Sequence, residues 1–214
     1  MSRLGKLRWK HWSPGLDNGH WKLGDVIESL PGAGAIEIAF MVKVFENPAS
    51  PIALPGAITL ARHDAVHAMV GRGLRPQDEG FVIGFTMGSD PKLKPWHCKV
   101  FKFVSRYLYP KAYKFYEDDL MAWDLGVGAA RKMGVPNLAE YPFEDPMDRT
   151  LDDLRKELKI NLPELHAIYR KETLLAPDTE ETRRLDTDIG GRDPSDIHPP
   201  EGDKSDWKRE RGQK

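Results

Sequence analysis

Proline and glycine punctuation in the middle of the chain sets the tightest limit on its fold. "PGAITLARHDAVHAMVGRG" opens with Pro55 and Gly56 and closes with Gly71 and Gly73, and "RPQDEGFVIGFTMG" re-enters at Pro76 with Asp78 and Glu79 in its first turn. Proline is tolerated where a helix starts, glycine is favoured just past its end, and acids suit the positive N-terminal end of the helix dipole. The stretch therefore reads as two helices joined by a tight turn, a helical hairpin.

The same punctuation recurs along the chain. Residues 35–46, opening with "AIEIAFMVKVF", predict an apolar helix closed by "ENPASP", where two prolines forbid continuation. Trp96 to Lys114 reads as an aromatic-rich helix that breaks at Pro110, and "EDDLMAWDLGVGAARKMG" runs from acids to bases and a closing glycine. Thr150, with Asp153 three positions on, resembles a capping box at the head of "TLDDLRKELKI". No alternating strand and no solenoid repeat interrupts the pattern. The expected architecture is all-α, an orthogonal multi-helix bundle with a disordered C-terminal tail. Beyond Ala176 the only large apolar residues are Leu185, Ile189, Ile197 and Trp207, too few to offset the entropy of ordering so charged a segment. Three regions follow: an aromatic-basic arm at 1–24, a helical domain at 25–175 and a charged, disordered tail at 176–214.

Charge and cysteine content narrow the function. The 214 residues carry a net charge of −1, which argues against a dedicated nucleic-acid binder. Locally the balance is different. From Pro91 to Tyr116 there is no acid, while Lys92, Lys94, Lys99, Lys102, Arg106, Lys111 and Lys114 are basic. Cys98 is the one cysteine, so neither an intrachain disulfide nor a thiolate zinc cluster can form, and a reducing compartment fits. Trp9, Trp12 and Pro14 stand where a secretory signal needs an apolar run, and the 35–45 stretch is too short to span a bilayer. A soluble or peripheral protein is expected.

The hairpin also gathers ionisable groups. His63 and His67 are one helical turn apart, and Asp64 lies beyond His67 on the same quarter of the helix. Their neighbours are Ile58, Leu60, Ala61, Ala65, Val66, Ala68, Met69 and Val70, among which buried ionisable groups need a partner or a cation. Glu79, in the first turns of the next helix, can face both imidazoles across the hairpin. Nitrogen and oxygen donors without sulfur suit zinc, iron, manganese or cobalt. The plainer reading is a satisfied polar cluster, with Asp64 holding a histidine and Glu79 paired to Arg62 or Arg75. A zincin needs His-Glu-x-x-His, and Asp64 replaces that glutamate. An HD-type metal phosphohydrolase needs ligands from further helices, for which His97, His166, Asp118 and Asp119 are the available residues.

His-Asp-x-x-His followed by eleven residues and Glu resembles the signature of the coenzyme Q (ubiquinone) biosynthesis protein four family, matched here by His63, Asp64, His67 and Glu79, with Gly71 after the second histidine. "AWDLGVGAARKMGVPNLAEYPFEDPMDRTLDDLRKELKI" is similar to the family's C-terminal block at Trp123, Gly126, Leu154, Arg155, Leu158 and Ile160, and the likeness covers about residues 30–162. The resemblance implies a helical fold and a divalent metal, zinc first, on His63, Asp64, His67 and Glu79, which are also its implied catalytic residues. It implies replacement of the C1 carboxyl of a polyprenylated hydroxybenzoate by hydroxyl, an oxidative decarboxylation with dioxygen as acceptor. A non-catalytic scaffold that binds isoprenoid lipid for other quinone-biosynthesis enzymes is the alternative. The implied location is peripheral on the inner membrane, cytoplasmic in a bacterium or on the matrix side in a mitochondrion, and a homodimer is allowed.

The rest of the chain suits a lipid ligand. The 35–45 helix is apolar nearly all round, as core or as a cavity wall. "CKVFKFVSRYLYPKAYKFY" interleaves aromatics with cations, which fits either an anionic membrane surface or a core helix whose lysines reach out to water. Glu117, Asp118 and Asp119 beside it argue against nucleic acid.

Overall fold

A computed structural model describes residues 12–30, 54–109 and 114–187. These residues form eight α-helices and no strand: α1 (Leu23–Ser29), α2 (Leu60–Val70), α3 (Pro76–Ser89), α4 (Pro95–Phe103), α5 (Glu117–Met133), α6 (Leu151–Glu157), α7 (Leu162–Leu175) and α8 (Glu180–Thr187). A π-helical turn, Val104–Leu108, continues α4. The helix expected over 35–46 lies outside the described residues, as do 1–11 of the arm and 188–214 of the tail.

The hairpin forms as its punctuation dictates. α2 ends at Gly71, whose φ of 68° is left-handed, and a Cβ there would lie 2.5 Å from the Gly15 carbonyl oxygen. Only glycine meets both demands. Pro76 starts α3. Thr150 Oγ1 accepts the Asp153 N–H at 3.3 Å and so caps α6. The π-helical turn that continues α4 stops where the sequence requires it: Tyr109, the residue before Pro110, is extended at φ −66°, ψ 148°.

α3 packs most extensively on α5, through a feature that periodicity alone does not reveal. Gly80, Gly84 and Gly88 recur every four residues along one face of α3, and Gly126 answers from α5. A Cβ on Gly84 would lie 2.2 Å from the Trp123 carbonyl oxygen, so the two backbones touch where a side chain would otherwise stand. Beside this contact, Leu54, Ile83, Met87, Leu93, Phe101, Phe115, Leu120, Trp123 and Val127 form one apolar cluster. The larger core surrounds α2 with residues from α1, α3, α5, α6 and α7.

Both expected domain boundaries move outward. Residues 12–24, expected as part of a separate arm, enter the core: Trp12, Leu16 and Leu23 are buried, and Trp12 Nε1 donates to Ser29 Oγ at 3.1 Å. The tail expected from 176 instead continues as α8, packed against α7, with Thr182 and Leu185 buried. One buried leucine, with Arg75 and Arg184 paired to acids, is enough to order this short charged helix. Low apolar content was a poor guide because the helix is held by ion pairs.

Gly84→Val is expected to lower unfolding free energy by about 2–4 kcal/mol, because the α3–α5 backbones must separate. Gly128→Ala, at a helical position where an added Cβ would meet nothing within 4 Å, is expected to stabilise by up to about 1 kcal/mol. Urea denaturation of the pair checks both signs.

Candidate metal centre

α2 carries its two histidines inward. His67 is fully buried and His63 nearly so, among Ala65, Val66, Ala68 and Met69. The two imidazoles meet edge to face with Nε2 atoms 3.0 Å apart. Glu79, in the first turns of α3, completes the group from across the hairpin: Oε2 is 3.0 Å from His63 Nε2, and Oε1 is 3.4 Å from His67 Nε2. These three residues each offer one ligand atom, all within 4.8 Å of one another. Donors about 2.0–2.1 Å from a common tetrahedral ion stand about 3.3 Å apart, so the spacing suits one small cation.

The proton inventory points the same way. His67 Nδ1 faces the Arg72 carbonyl at 3.4 Å and, in that pairing, donates to it. With a metal ion in place of a proton between these groups, the same Nδ1–H pairing would turn the His67 Nε2 lone pair toward His63 and Glu79. Three electron-rich atoms share one small space, and a proton or a metal ion is what such a space accepts. Burial raises the Glu79 carboxyl pKa, but charge on His67 and hydrogen bonds from both imidazoles outweigh it and hold it well below the usual carboxylate range. Glu79 is therefore an anion at neutral pH.

Of the sequence-derived residues, His63, His67 and Glu79 are brought together. Asp64, half-buried next along α2, is outside that group. The arginine partners considered for Glu79 are engaged elsewhere: Arg62 with Glu144 at 2.9 Å and the Ala139 carbonyl at 2.7 Å, Arg75 with Glu180 and Glu181. His97 accepts the Lys94 N–H at 3.0 Å at the start of α4, and neither it nor His166 joins the cluster among the described residues. An apolar pocket lies against His63, lined by Leu54, Ile58, Ile83, Met87 and Phe101, with room for about one water molecule.

The support beneath the site went unread in the sequence. Arg72, between Gly71 and Gly73, is fully buried and pairs bidentately with Glu172 of α7 at 2.8 and 3.0 Å. Its Nε stands 3.1 Å from Asp78 Oδ1, and Asp78 also takes Arg184 at 2.6 Å. Gln77 Nε2 donates to Glu172 at 2.7 Å. Burial disfavours the Arg72 charge, but Glu172 and Asp78 reverse that and raise its pKa. Arg155 of α6 donates to the Met69, Ala68 and Leu16 carbonyls at 2.9, 3.3 and 3.1 Å, and Tyr169 donates to that of Val70. Burial with little compensating charge brings the Arg155 pKa down to about 10. The one available signal was an arginine in a Gly-Arg-Gly turn, which names no partner.

Glu172→Leu leaves Arg72 buried without its main counter-charge and is expected to cost about 3–5 kcal/mol. Combined with Arg72→Met it is expected to cost less than the two single changes added together, which a double-mutant cycle by denaturation measures. No family model, curated protein or solved structure matches the chain.

Proposed function

We propose that His63, His67 and Glu79 hold a divalent metal, and that the protein uses it on the carboxyl end of a prenylated aromatic acid in quinone biosynthesis. The observation that carries the metal is the convergence of two neutral-capable imidazoles and one anionic carboxylate at ligand spacing. The substrate class comes from the likeness to the coenzyme Q biosynthesis protein four family alone. Zinc comes first on that likeness, with iron, manganese and cobalt also suited to the donors.

The bound metal supplies Lewis acidity toward a carboxylate, or redox exchange with dioxygen if it is iron or manganese. The chain's own residues supply orientation. The Arg72 carbonyl holds His67 in one tautomer, and the Arg72–Glu172 pair holds that carbonyl. Leu54, Ile58, Ile83, Met87 and Phe101 make the wall beside His63 apolar, and the space that they leave holds about one water molecule. Asp64, outside that group in the structure, is proposed as a fourth donor on the family likeness alone. In the oxidative decarboxylation that the likeness implies, the ring carboxyl departs as carbon dioxide, hydroxyl takes its place and dioxygen accepts the electrons.

Elemental mass spectrometry of untagged, chelator-free protein is expected to find about one metal per chain in the wild type and under about a tenth of that in His67→Ala. Glu79→Gln, which keeps the side chain's shape, is expected to weaken retention without unfolding the domain. Protons compete with the metal for the same donor atoms, so metal retention is expected to weaken as the pH falls. With metal established, incubation with a short-chain prenyl hydroxybenzoate under air tests the chemistry by product mass. Metal without turnover assigns the scaffold role, and a folded wild type without metal overturns the site.

A further inference from the structure

Where α5 ends beside the turn from α6 to α7, the surface holds a cleft of about 500 Å³. Small-molecule sites run from about 300 to 1,000 Å³, so this cleft has room for a ligand, whereas the pocket against His63 has room for about one water molecule. It shares no residue with that pocket or with the His63, His67 and Glu79 cluster. Lys132 comes from the end of α5, Arg155 and Lys156 from α6, Lys159 from the turn and Glu164 from α7. Four cationic side chains thus face one acid, and three positive charges are left over.

Folding does not account for this surplus. Glu164 already takes Lys132 at 2.7 Å, while Lys156 and Lys159 are exposed and make no ion pair among the described residues. The buried Arg155 guanidinium is turned to carbonyls of α2 and Leu16, and Asp152, its one ion-pair partner among the described residues, stands 3.9 Å off. Its charge behind the cleft is therefore poorly answered. Lys156, in the last turn of α6, suits the helix dipole, but Lys159 has no such reason to be where it is. With φ at 58°, it is the one residue other than glycine with a left-handed backbone among the described residues. Glycine takes that conformation freely at a helix end, and a side chain with a Cβ does not. A lysine held there against its backbone preference, with its ammonium at the cleft, points to a ligand.

The donors select the ligand's chemistry. A compact ammonium binds phosphate as a point charge, whereas a planar carboxylate is better matched by the fork of an arginine. One phosphate carries about 1.5–2 negative charges at neutral pH, which leaves part of the surplus unanswered, and two or more phosphates meet it. Asp152, Asp153 and Glu157 are exposed on the same short helix and repel an extended polyanion such as nucleic acid, so the favourable field is confined to the cleft. We propose that the cleft between α5 and the α6–α7 turn binds a small soluble molecule carrying two or more phosphate groups, held by Lys132, Lys156 and Lys159. The binding does not depend on the metal.

Isothermal titration calorimetry of the full chain with sodium tripolyphosphate, and separately with orthophosphate, tests the proposal. The wild type is expected to bind about one tripolyphosphate per chain, more weakly as salt rises, and orthophosphate about tenfold more weakly or worse. Lys156→Gln/Lys159→Gln, at two exposed positions, is expected to lower the tripolyphosphate affinity about tenfold or more. Lys159→Gly separates binding from folding: it is expected to weaken binding about threefold while the thermal midpoint stays at or above that of the wild type, because the left-handed turn is relieved. Three outcomes overturn the proposal. They are a wild type that does not bind tripolyphosphate, orthophosphate bound as tightly as tripolyphosphate, and lysine variants that bind as the wild type does, which places the anion elsewhere, the metal centre included.

Discussion

The buried C-terminal end of α2 is the constraint on which the rest of the structure depends. The last four carbonyls of any helix lack intrahelical partners, and burying one unpaired costs about 1–3 kcal/mol. Here all four are met. The Gly71 and Arg72 amides take the His67 carbonyl, Arg155 takes those of Ala68 and Met69, and Tyr169 takes that of Val70. Donors from α6, α7 and the hairpin turn thus converge on one helix end and fix its position. The histidines of that helix inherit the precision.

The same network reaches the third member of the site. Asp78 is held by Arg72 and Arg184, and the next residue is Glu79. Through Glu172 on Arg72 and Arg184 on Asp78, α7 and α8, remote in sequence, help to hold the first turn of α3 that carries Glu79. The glycine contact between α3 and α5 acts on the other side. By letting the backbones meet, it brings Ile83, Met87, Phe101 and Trp123 into one apolar cluster and turns the far face of α4 outward.

Much of this was legible because it is local. Pro55, Gly71, Gly73 and Pro76 delimit a hairpin through backbone restrictions that hold in any context. Thr150 caps α6 through a hydrogen bond to a residue three positions away. His63 and His67 share a face through helix geometry alone. Other features failed for a common reason. Residues 12–24 looked like an arm because nothing nearby shows that Trp12 and Leu16 have a core to enter, and residues from 176 looked disordered because the acids and bases that order α8 are more than a hundred positions from their partners. Trp96, Phe103 and Tyr107 were visible as an aromatic stripe, but a period cannot say that its face points outward. The Gly80, Gly84 and Gly88 spacing was present in the sequence, and its meaning depended on α5 lying against it.

By itself, then, the sequence determined that the chain is helical, where several helices begin and end, and that two histidines share a turn with a carboxylate within reach across a hairpin. Those properties follow from dihedral limits, capping and a period of 3.6, each set within a few residues. Only the tertiary structure decided that Glu79 faces imidazoles and not arginine, that Arg72 and Arg155 lie buried beneath the site, and that the aromatic face of α4 looks outward. Each of these is a choice among partners distant along the chain, made by the requirement that buried polar groups be satisfied and apolar faces be covered.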